Sequence, residues 1–354
     1  MMTKKNIAII YGTRPEFLKV YPLILEAKKR SIDIVTINTG QHTSMLSEME
    51  QVFDYSADYN LAVQSSDFSN SNLLAKLIND ISEVVKENEI EKIIAQGDTF
   101  TVLASSMVAF LEKRKFYHIE AGLRTDDIRF PFPEEYNRRV VSLTSDLNFA
   151  PTKLAANNLS KENISSEKIS VTGNTIIDLL QYVLEKENIR LEYGNDIFIT
   201  AHRRENIGDN MYSICAAIRE LAEENPTFTF HWSLHPNPNT RKFIFEAFKE
   251  IPNNINFIEP LNYIQAVKLM AKCKMLISDS GGIQEEAPTL QKRVIILRDE
   301  TERPEVLECG CGVLVGADKN KIKNEFYKEL ENKNNSFTNP FGNGKASQLI
   351  FDSI

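Results

Sequence analysis

Four carboxylates, Asp98, Glu120, Glu134 and Glu135, and seven basic side chains, Arg14, Lys19, His202, Arg203, Arg204, His235 and Arg303, carry the chemistry this sequence offers. Most of them close or closely follow a short apolar run. Glu120 ends Phe116-Tyr117-His118-Ile119, a setting in which a carboxylate loses hydration unless a partner or a task compensates. A carboxylate so placed suits proton transfer. The basic groups sit in a chain of net charge −8, so their gathering at strand ends points to an anionic ligand such as a diphosphate. Plainer roles exist for some of these residues. A strand-end Asp such as Asp98 also serves as a helix cap. Glu134 and Glu135, at a helix start after the Pro-rich Arg129–Pro133 segment, also complement a helix dipole.

A second constellation runs from Ser278 to Pro288. Lys274-Met275-Leu276-Ile277 reads as a buried strand, Ser278-Asp279-Ser280-Gly281-Gly282 as a turn, and Ile283–Ala287 as the start of a helix. Such a turn aims backbone N–H groups and the helix dipole at an anion. Gly281 and Gly282 predict close backbone approach and positive φ. Glu285 and Glu286 follow within reach of sugar hydroxyls. The plain alternative is an ordinary strand-to-helix turn with Ser280 as its N-cap.

Other chemistries fall away. The sequence has no Walker A motif and no G-x-G-x-x-G, which removes P-loop phosphoryl transfer and dinucleotide redox chemistry. No Asp-x-Asp pair ends a strand. His231 and His235 are four apart, but Pro236 and the strand-like Phe228-Thr229-Phe230 argue against a helical metal pair. Cys309-Gly310-Cys311 lacks redox spacing, and the four cysteines read as free thiols. No metal and no cofactor are expected.

The elements that must position these residues alternate. Asn6–Tyr11 is an apolar strand, and Gly12-Thr13-Arg14-Pro15-Glu16 turns it into a helix, with Pro15 suited to the first helical position and Thr13 or Arg14 to the cap. Ile32–Asn38 is a strand ending in Thr39-Gly40-Gln41-His42. A helix over 72–86 leads to the strand Glu91–Gln96 and its turn Gly97-Asp98-Thr99. A helix over 101–113 leads to Phe116–Glu120, and Asp146–Ala150 follows. The alternation resumes after Thr175–Lys186 with strands 196–201, 228–234, 255–258, 274–277 and 294–297. Strand, turn and helix in this order predict an α/β chain of two doubly wound, Rossmann-like domains with a cleft between them. In such sheets ligands bind beyond the carboxyl ends of the strands, where Arg14, Gln41, Asp98 and Glu120 fall. The expected boundaries are 1–170 and 171–338, with residues 339–354 a C-terminal helix returning to the first domain.

At 354 residues the chain suits two domains. Its acidity disfavours nucleic acid and anionic membranes as partners. No apolar run approaches the ~18 residues of a membrane span, and Met1–Asn6 leads into a strand without an apolar leader. A cytoplasmic location is expected.

In order along the chain stand Gly12–Glu16, Thr39–His42, Gly97–Thr99, His118–Thr125, Pro133–Arg138, His202–Asn206, His235–Pro238, Ser278–Glu286, Thr301–Glu305 and Gly342–Ala346. With these motifs the chain resembles, nearly end to end, the bacterial non-hydrolysing UDP-N-acetylglucosamine 2-epimerases, whose fold is like that of the GT-B glycosyltransferases. The resemblance implies interconversion of UDP-GlcNAc and UDP-ManNAc by inversion at C2, supplying ManNAc for cell-surface polysaccharide. It implies elimination of UDP to a 2-acetamidoglucal and re-addition. It makes Asp98, Glu120 and Glu134 the acid/base candidates, with His202 assisting UDP departure. It places Arg14 and Lys19 on the diphosphate side and Glu286 on the ribose hydroxyls. His235, Ser280, Gly281, Gly282 and Arg303 complete the nucleotide contacts. A homodimer that closes over its substrate is also implied. Several relatives bind a second UDP-GlcNAc as an activator, which makes Gln41, Arg138 and Arg203 allosteric candidates. There the sequence departs: Thr43-Ser44 stand where relatives often carry Arg-Glu or Arg-Gln, and Gln64-Ser65-Ser66 offers no basic contact.

Three rival activities share much of this pattern: a hydrolysing epimerase releasing ManNAc and UDP, an epimerase of a related UDP-2-acetamido sugar, and a metal-independent GT-B glycosyltransferase. A purely binding protein would not need so many strand-end carboxylates.

Overall fold

The structure, a computed structural model, describes residues 6–41, 43–63, 68–125, 127–248, 250–332 and 336–354, without the side chains of residues 43–45 and 204. His42, Gln64-Ser65-Ser66 and the side chains of Thr43, Ser44 and Arg204 therefore lie outside the described residues. The chain divides into two units, Met1–Leu179 with Phe341–Ile354, and Leu180–Pro340.

The central strands are apolar on both faces, and runs too short for helices make all of the strands. In the first unit these are β1 (Ile7–Tyr11), β2 (Ile34–Asn38), β3 (Tyr59–Asn60), β4 (Lys92–Gln96), β5 (Lys115–Ile119), β6 (Leu147–Ala150) and β7 (Ile169–Val171). They form one sheet in the order β3-β2-β1-β4-β5-β6-β7, parallel throughout. The second unit has β8 (Asp196–Thr200), β9 (Thr229–Ser233), β10 (Ile255–Ile258), β11 (Met275–Ser278), β12 (Val294–Ile296) and β13 (Gly312–Leu314). Their order is β10-β9-β8-β11-β12-β13, again parallel. Both units are therefore Rossmann-like, as the alternation predicts. Most expected strands lie within a residue or two of the observed ones.

The strand order reverses at β1/β4 in the first unit and at β8/β11 in the second. On either side of such a point the connecting loops diverge, opening a crevice at the carboxyl ends of the strands. Helices with small or apolar inward faces cover the sheets. Phe100–Leu111 buries Thr101, Ala104, Ser105 and Ala109. The second unit centres on Phe230, Trp232, Ile277 and Phe326. The tail is fastened to the first unit: Ala346 and Ser347 donate their N–H groups to Asp178 at 3.1 and 2.7 Å, and Arg30 pairs with Asp352 at 2.7 Å. Among the described residues no helix is long and apolar enough to cross a membrane.

Candidate active site

The first unit brings Arg14, Lys19, Asp98 and Glu120 to the carboxyl ends of β1, β4 and β5. Thr13 caps the helix Arg14–Lys29, and Glu16 answers as the fourth member of the capping box. Glu16 Oε2 accepts from the N–H groups of Gly12 (2.6 Å) and Thr13 (2.9 Å), while Oε1 accepts from the Thr99 hydroxyl. One carboxyl thus ties the turn after β1 to the turn after β4. Burial pushes it up to about 7 despite those hydrogen bonds. In the turn after β4 the Gly97 carbonyl is held by His118, wholly buried on β5, at 2.8 Å through Nε2, and burial pushes that imidazole down to about 4.

Asp98 is not the helix cap, since Thr99 takes that position before Phe100–Leu111. Its carboxylate accepts from Arg138 at 2.5 and 3.1 Å, and its carbonyl accepts from Asn137 at 2.8 Å. Glu120 stands just past β5 with φ +62°, a left-handed conformation seldom adopted by a residue with a side chain. Its Oε2 accepts from Lys19 Nζ and from Gln96 Nε2, both at 2.5 Å. Glu134 opens the helix Glu134–Thr144, and its Oε2 is sealed from solvent without a hydrogen-bond partner among the described residues. Glu135 beside it is structural, an ion hub for Arg139 (2.6 Å) and Arg138 (3.4 Å). Gln41 accepts from Thr101 at 3.0 Å, at the end of β2. Lys19 therefore contacts the carboxylate directly, a partner its position in the sequence did not suggest.

In the second unit the charges are arranged the other way. His202 and Arg203 follow β8, and their backbone N–H groups donate to Asp279 Oδ2 at 2.7 and 2.8 Å. Asn206 Nδ2 adds a third donor at 2.9 Å. Asp279 is wholly buried at the end of β11. The His202 ring has Nδ1 3.3 Å from Asp279 Oδ1, outside hydrogen-bond alignment, and stacks on His235 with centroids 5.1 Å apart. Burial and the neighbouring His202 lower the His235 imidazole. Arg303 Nε donates to the buried Glu285 at 2.6 Å, and Tyr263 donates to Glu286 Oε1 at 2.6 Å. Burial and the Glu286 charge push the Tyr263 phenol well up, so it stays a donor.

The turn at 278–282 corrects one expectation. Gly281 and Gly282 are the first residues of the helix Gly281–Glu286, and neither has positive φ. They are glycine for different reasons. A Cβ at Gly281 would lie 2.7 Å from Arg303 Nη1 and 2.8 Å from its Cζ. One at Gly282 would meet, among the described residues and within 4 Å, only Ser280 Oγ at 3.9 Å. Ser280 stands at the N-cap without a side-chain cap bond; its own N–H donates to Ser278 Oγ at 3.0 Å. Thus Gly281 makes room for an arginine, and Gly282 leaves backbone open to approach.

Sequence reasoning passed over Glu16, Gln96, His118, Asp279 and Tyr263 as members of the site. Two carried a usable signal. Thr13-Arg14-Pro15-Glu16 is a capping-box pattern, and Asp279 ends an apolar run just as Glu120 does. Among the described residues no group of three His, Cys, Asp or Glu side chains gathers as a metal site would.

A family model described as UDP-N-acetylglucosamine 2-epimerase matches residues 25–354. The UDP-N-acetylglucosamine 2-epimerase of Neisseria meningitidis is 40% identical over 368 residues, covering 99% of each chain. A crystal structure of the UDP-GlcNAc 2-epimerase from Neisseria meningitidis, bound to UDP-GlcNAc, superposes with a TM-score of 0.89 over 98% of each chain at 40% identity. That of Methanocaldococcus jannaschii, in complex with UDP-GlcNAc and UDP, does so with a TM-score of 0.83 over 98% of each chain at 35% identity.

Proposed function

The chain belongs to the UDP-N-acetylglucosamine 2-epimerase family of isomerases, and from that premise we propose that it interconverts UDP-GlcNAc and UDP-ManNAc by eliminating UDP to a 2-acetamidoglucal and adding it back, without net hydrolysis. The order of steps follows from the substrate. The C2 proton is not next to a carbonyl, so a carboxylate cannot remove it directly at a useful rate. Once the anomeric C–O bond breaks, the oxocarbenium-like centre acidifies C2–H and a carboxylate becomes competent. The C–H electron pair closes the C1–C2 double bond, the proton goes to the carboxylate, and UDP departs with the C–O pair. Re-addition with the proton delivered to the other face inverts C2, which calls for more than one proton-exchanging group.

The observation that carries the reading is Glu120, a buried carboxylate in a left-handed corner with Lys19 and Gln96 on one of its oxygens. On this reading Glu120, Asp98 and Glu134 exchange protons. Glu134 Oε2, unpartnered among the described residues, suits that work, because a structural carboxylate would have its donors already in place. His202 assists the leaving diphosphate, with Arg14, His235, Arg303 and the Ser280-Gly281-Gly282 turn as its counter-charges and N–H donors. Glu286, oriented by Tyr263, takes the ribose hydroxyls. The product serves as a source of ManNAc for cell-surface polysaccharide, made in the cytoplasm by a chain whose cysteines are free thiols.

The working form on this reading is a homodimer. Phe110, Leu111 and Leu143, 70%, 63% and 71% exposed, end two helices that pack on one another and give a second copy an apolar face.

Incubation with UDP-GlcNAc in D2O tests the central claim. UDP-ManNAc carrying deuterium at C2 is expected without any acceptor. Free ManNAc with stoichiometric UDP, or no exchange at C2, overturns it.

A further inference from the structure

We propose that Asn137 and Arg138 are positioning residues which fasten Asp98 to the helix carrying Glu134, so that these two carboxylates meet the sugar as one rigid pair. The proposal rests on the assignment of Asp98 and Glu134 as acid/base groups.

The spacing is already in the chain. Positions 134, 137 and 138 stand at i, i+3 and i+4, which puts their side chains on one face of the helix Glu134–Thr144. Burial marks the same face: Asn137 and Arg138 are buried, while Tyr136 between them and Glu134 is half exposed. Asp98 comes from a different segment, the turn after β4, and reaches this face only through the fold.

That face holds Asp98 at two places. Asn137 Nδ2 donates to the Asp98 carbonyl at 2.8 Å. Arg138 donates to Asp98 Oδ2 through Nη2 at 2.5 Å and Nε at 3.1 Å. Backbone and carboxylate are thus both tied to the helix. The residue before Asp98 is tied to β5 instead: His118 Nε2 holds the Gly97 carbonyl at 2.8 Å, and Gly97 N–H donates to the Ile119 carbonyl at 3.1 Å. Arg138 is itself braced. Its Nη1 lies 3.4 Å from Oε2 of the buried Glu135, which also accepts from the Thr125 N–H at 3.1 Å. A guanidinium set between two carboxylates of its own chain suits holding one of them in place more than it suits binding an effector.

The reaction supplies the reason for such a hold. Inversion at C2 needs proton exchange on opposite faces of one carbon, so the separation of two groups matters as much as the place of either. An error of about 1 Å in such a placement costs up to about 100-fold in rate. Asp98 sits in a turn, after a glycine at φ +91°, and side chains on turns hold their places less well than side chains on helices. Fastening Asp98 to residues 137 and 138 makes its separation from Glu134 a property of one helix.

Asn137→Leu keeps a branched side chain and removes the donor. It also removes Asn137 Oδ1, which has no hydrogen-bond partner among the described residues, and leaves the Asp98 carbonyl without this donor. One unsatisfied oxygen replaces another, so the thermal midpoint is expected within about 4 °C of wild type. Its kcat is expected to fall about 10- to 100-fold with KM within about threefold. Arg138→Lys, which keeps the charge and loses the two-point hold, is expected to show the same split. Should Asn137→Leu fail to fold, Asn137→Ala, which adds no volume, puts the same question. The deciding measurement is a double-mutant cycle with Asp98→Asn, read as deuterium entering C2 from D2O. Because Asn137 acts through Asp98, Asp98→Asn and the double variant are expected to turn over at the same rate. A folded Asn137 variant with the wild-type kcat overturns the proposal, as does a further fall of about tenfold when it is added to Asp98→Asn. If Asp98→Asn alone keeps turnover within about tenfold, the acid/base assignment falls and takes the proposal with it. If Asp98→Asn is nearly inactive while the Asn137 and Arg138 variants behave as wild type, only the fastening does.

Discussion

The two units solve the same topological problem with opposite charge. At the β1/β4 reversal the groups facing the crevice are carboxylates, Glu120 and Asp98, and the groups holding them are Lys19, Gln96 and Arg138. At the β8/β11 reversal the order is inverted. Asp279 accepts from the backbone N–H groups of His202 and Arg203, and Glu285 from the Arg303 side chain, both carboxylates nearly inaccessible. The reversal of strand order thus fixes where a site forms, while the sign of the residues at the strand ends decides what it can do. A carboxylate with donors behind it is oriented for proton exchange. A cation with a carboxylate behind it is oriented for a phosphate.

The largest effects should separate those two halves. On the proposed reading Glu120→Gln lowers kcat by a factor of ~10³ or more, the scale of lost general acid/base catalysis, and leaves UDP affinity within threefold. Asp279→Ala should do something else. It strips the acceptor from two backbone N–H groups and from Asn206, at a cost of about 3 kcal/mol in stability, and weakens UDP binding more than it weakens any proton step. Calorimetric titration with UDP beside turnover of UDP-GlcNAc checks both. If the Glu120 variant loses UDP binding, or the Asp279 variant keeps it at wild-type stability, the division of labour is wrong.

A subtler contrast lies inside the first unit. Glu16 and His118 both hold the turn after β4, through Thr99 and Gly97, and are both wholly buried, but their titrations pull stability in opposite directions. Glu16, with an ordinary value of 4.5, is pushed up to about 7 by burial. The folded protein keeps a proton there that the unfolded chain has released, so its contribution is full below 4.5 and lost as pH rises to about 7. His118 falls from 6.5 to about 4. The unfolded chain takes up that proton first, so stability is lost as pH falls through that window. Each amounts to about 3 kcal/mol in full, and between the two ordinary values they largely cancel. Glu16→Gln should therefore gain stability relative to wild type as pH rises, and His118→Gln should gain relative to wild type as pH falls. Urea midpoints at pH near 4.5, 5.5, 6.5 and 7.5 give the differences directly. Variants whose curves run parallel to wild type would show that neither group is as sealed as the packing indicates.

Much of this arrangement was legible in the sequence, for local reasons. Ile7–Tyr11 and Ile93–Ala95 are continuous apolar runs followed by glycine turns, and Glu120 is conspicuous because a charge ends such a run. The edge strands β3 and β13, two and three residues long, are too short to leave a pattern. The braces were invisible for a different reason. Glu16 meets Thr99 across 83 positions and His202 meets Asp279 across 77. Nothing in a local pattern says that Gln96, as ordinary a strand residue as any, will have its amide on a carboxylate 24 residues later. Burial and partnership are properties of the sheet order, which only the folded chain discloses.

The smallest effects concern the two adjacent glycines of the second unit, and they test its half of the comparison most finely. Both are helical, so alanine at either position costs nothing in φ and would ordinarily gain about 0.5–1 kcal/mol over glycine. At Gly281 that gain is overridden. The new methyl would sit 2.7 Å from Arg303 Nη1, and the guanidinium cannot simply swing aside, because Glu285 holds it at 2.6 Å in a nearly buried pair. Gly281→Ala should therefore be destabilising by about 1–3 kcal/mol, the usual range for forcing volume into a packed site. At Gly282 nothing opposes the methyl, and Gly282→Ala should be as stable as wild type or slightly more so, with its thermal midpoint raised by a degree or more. The methyl nevertheless occupies the space through which a diphosphate would reach the backbone N–H groups. UDP affinity should fall about tenfold in Gly282→Ala while stability holds. A Gly282 variant that binds UDP as wild type does would mean that the open backbone is not where the nucleotide lies, and that the cations of the second unit serve some other anion.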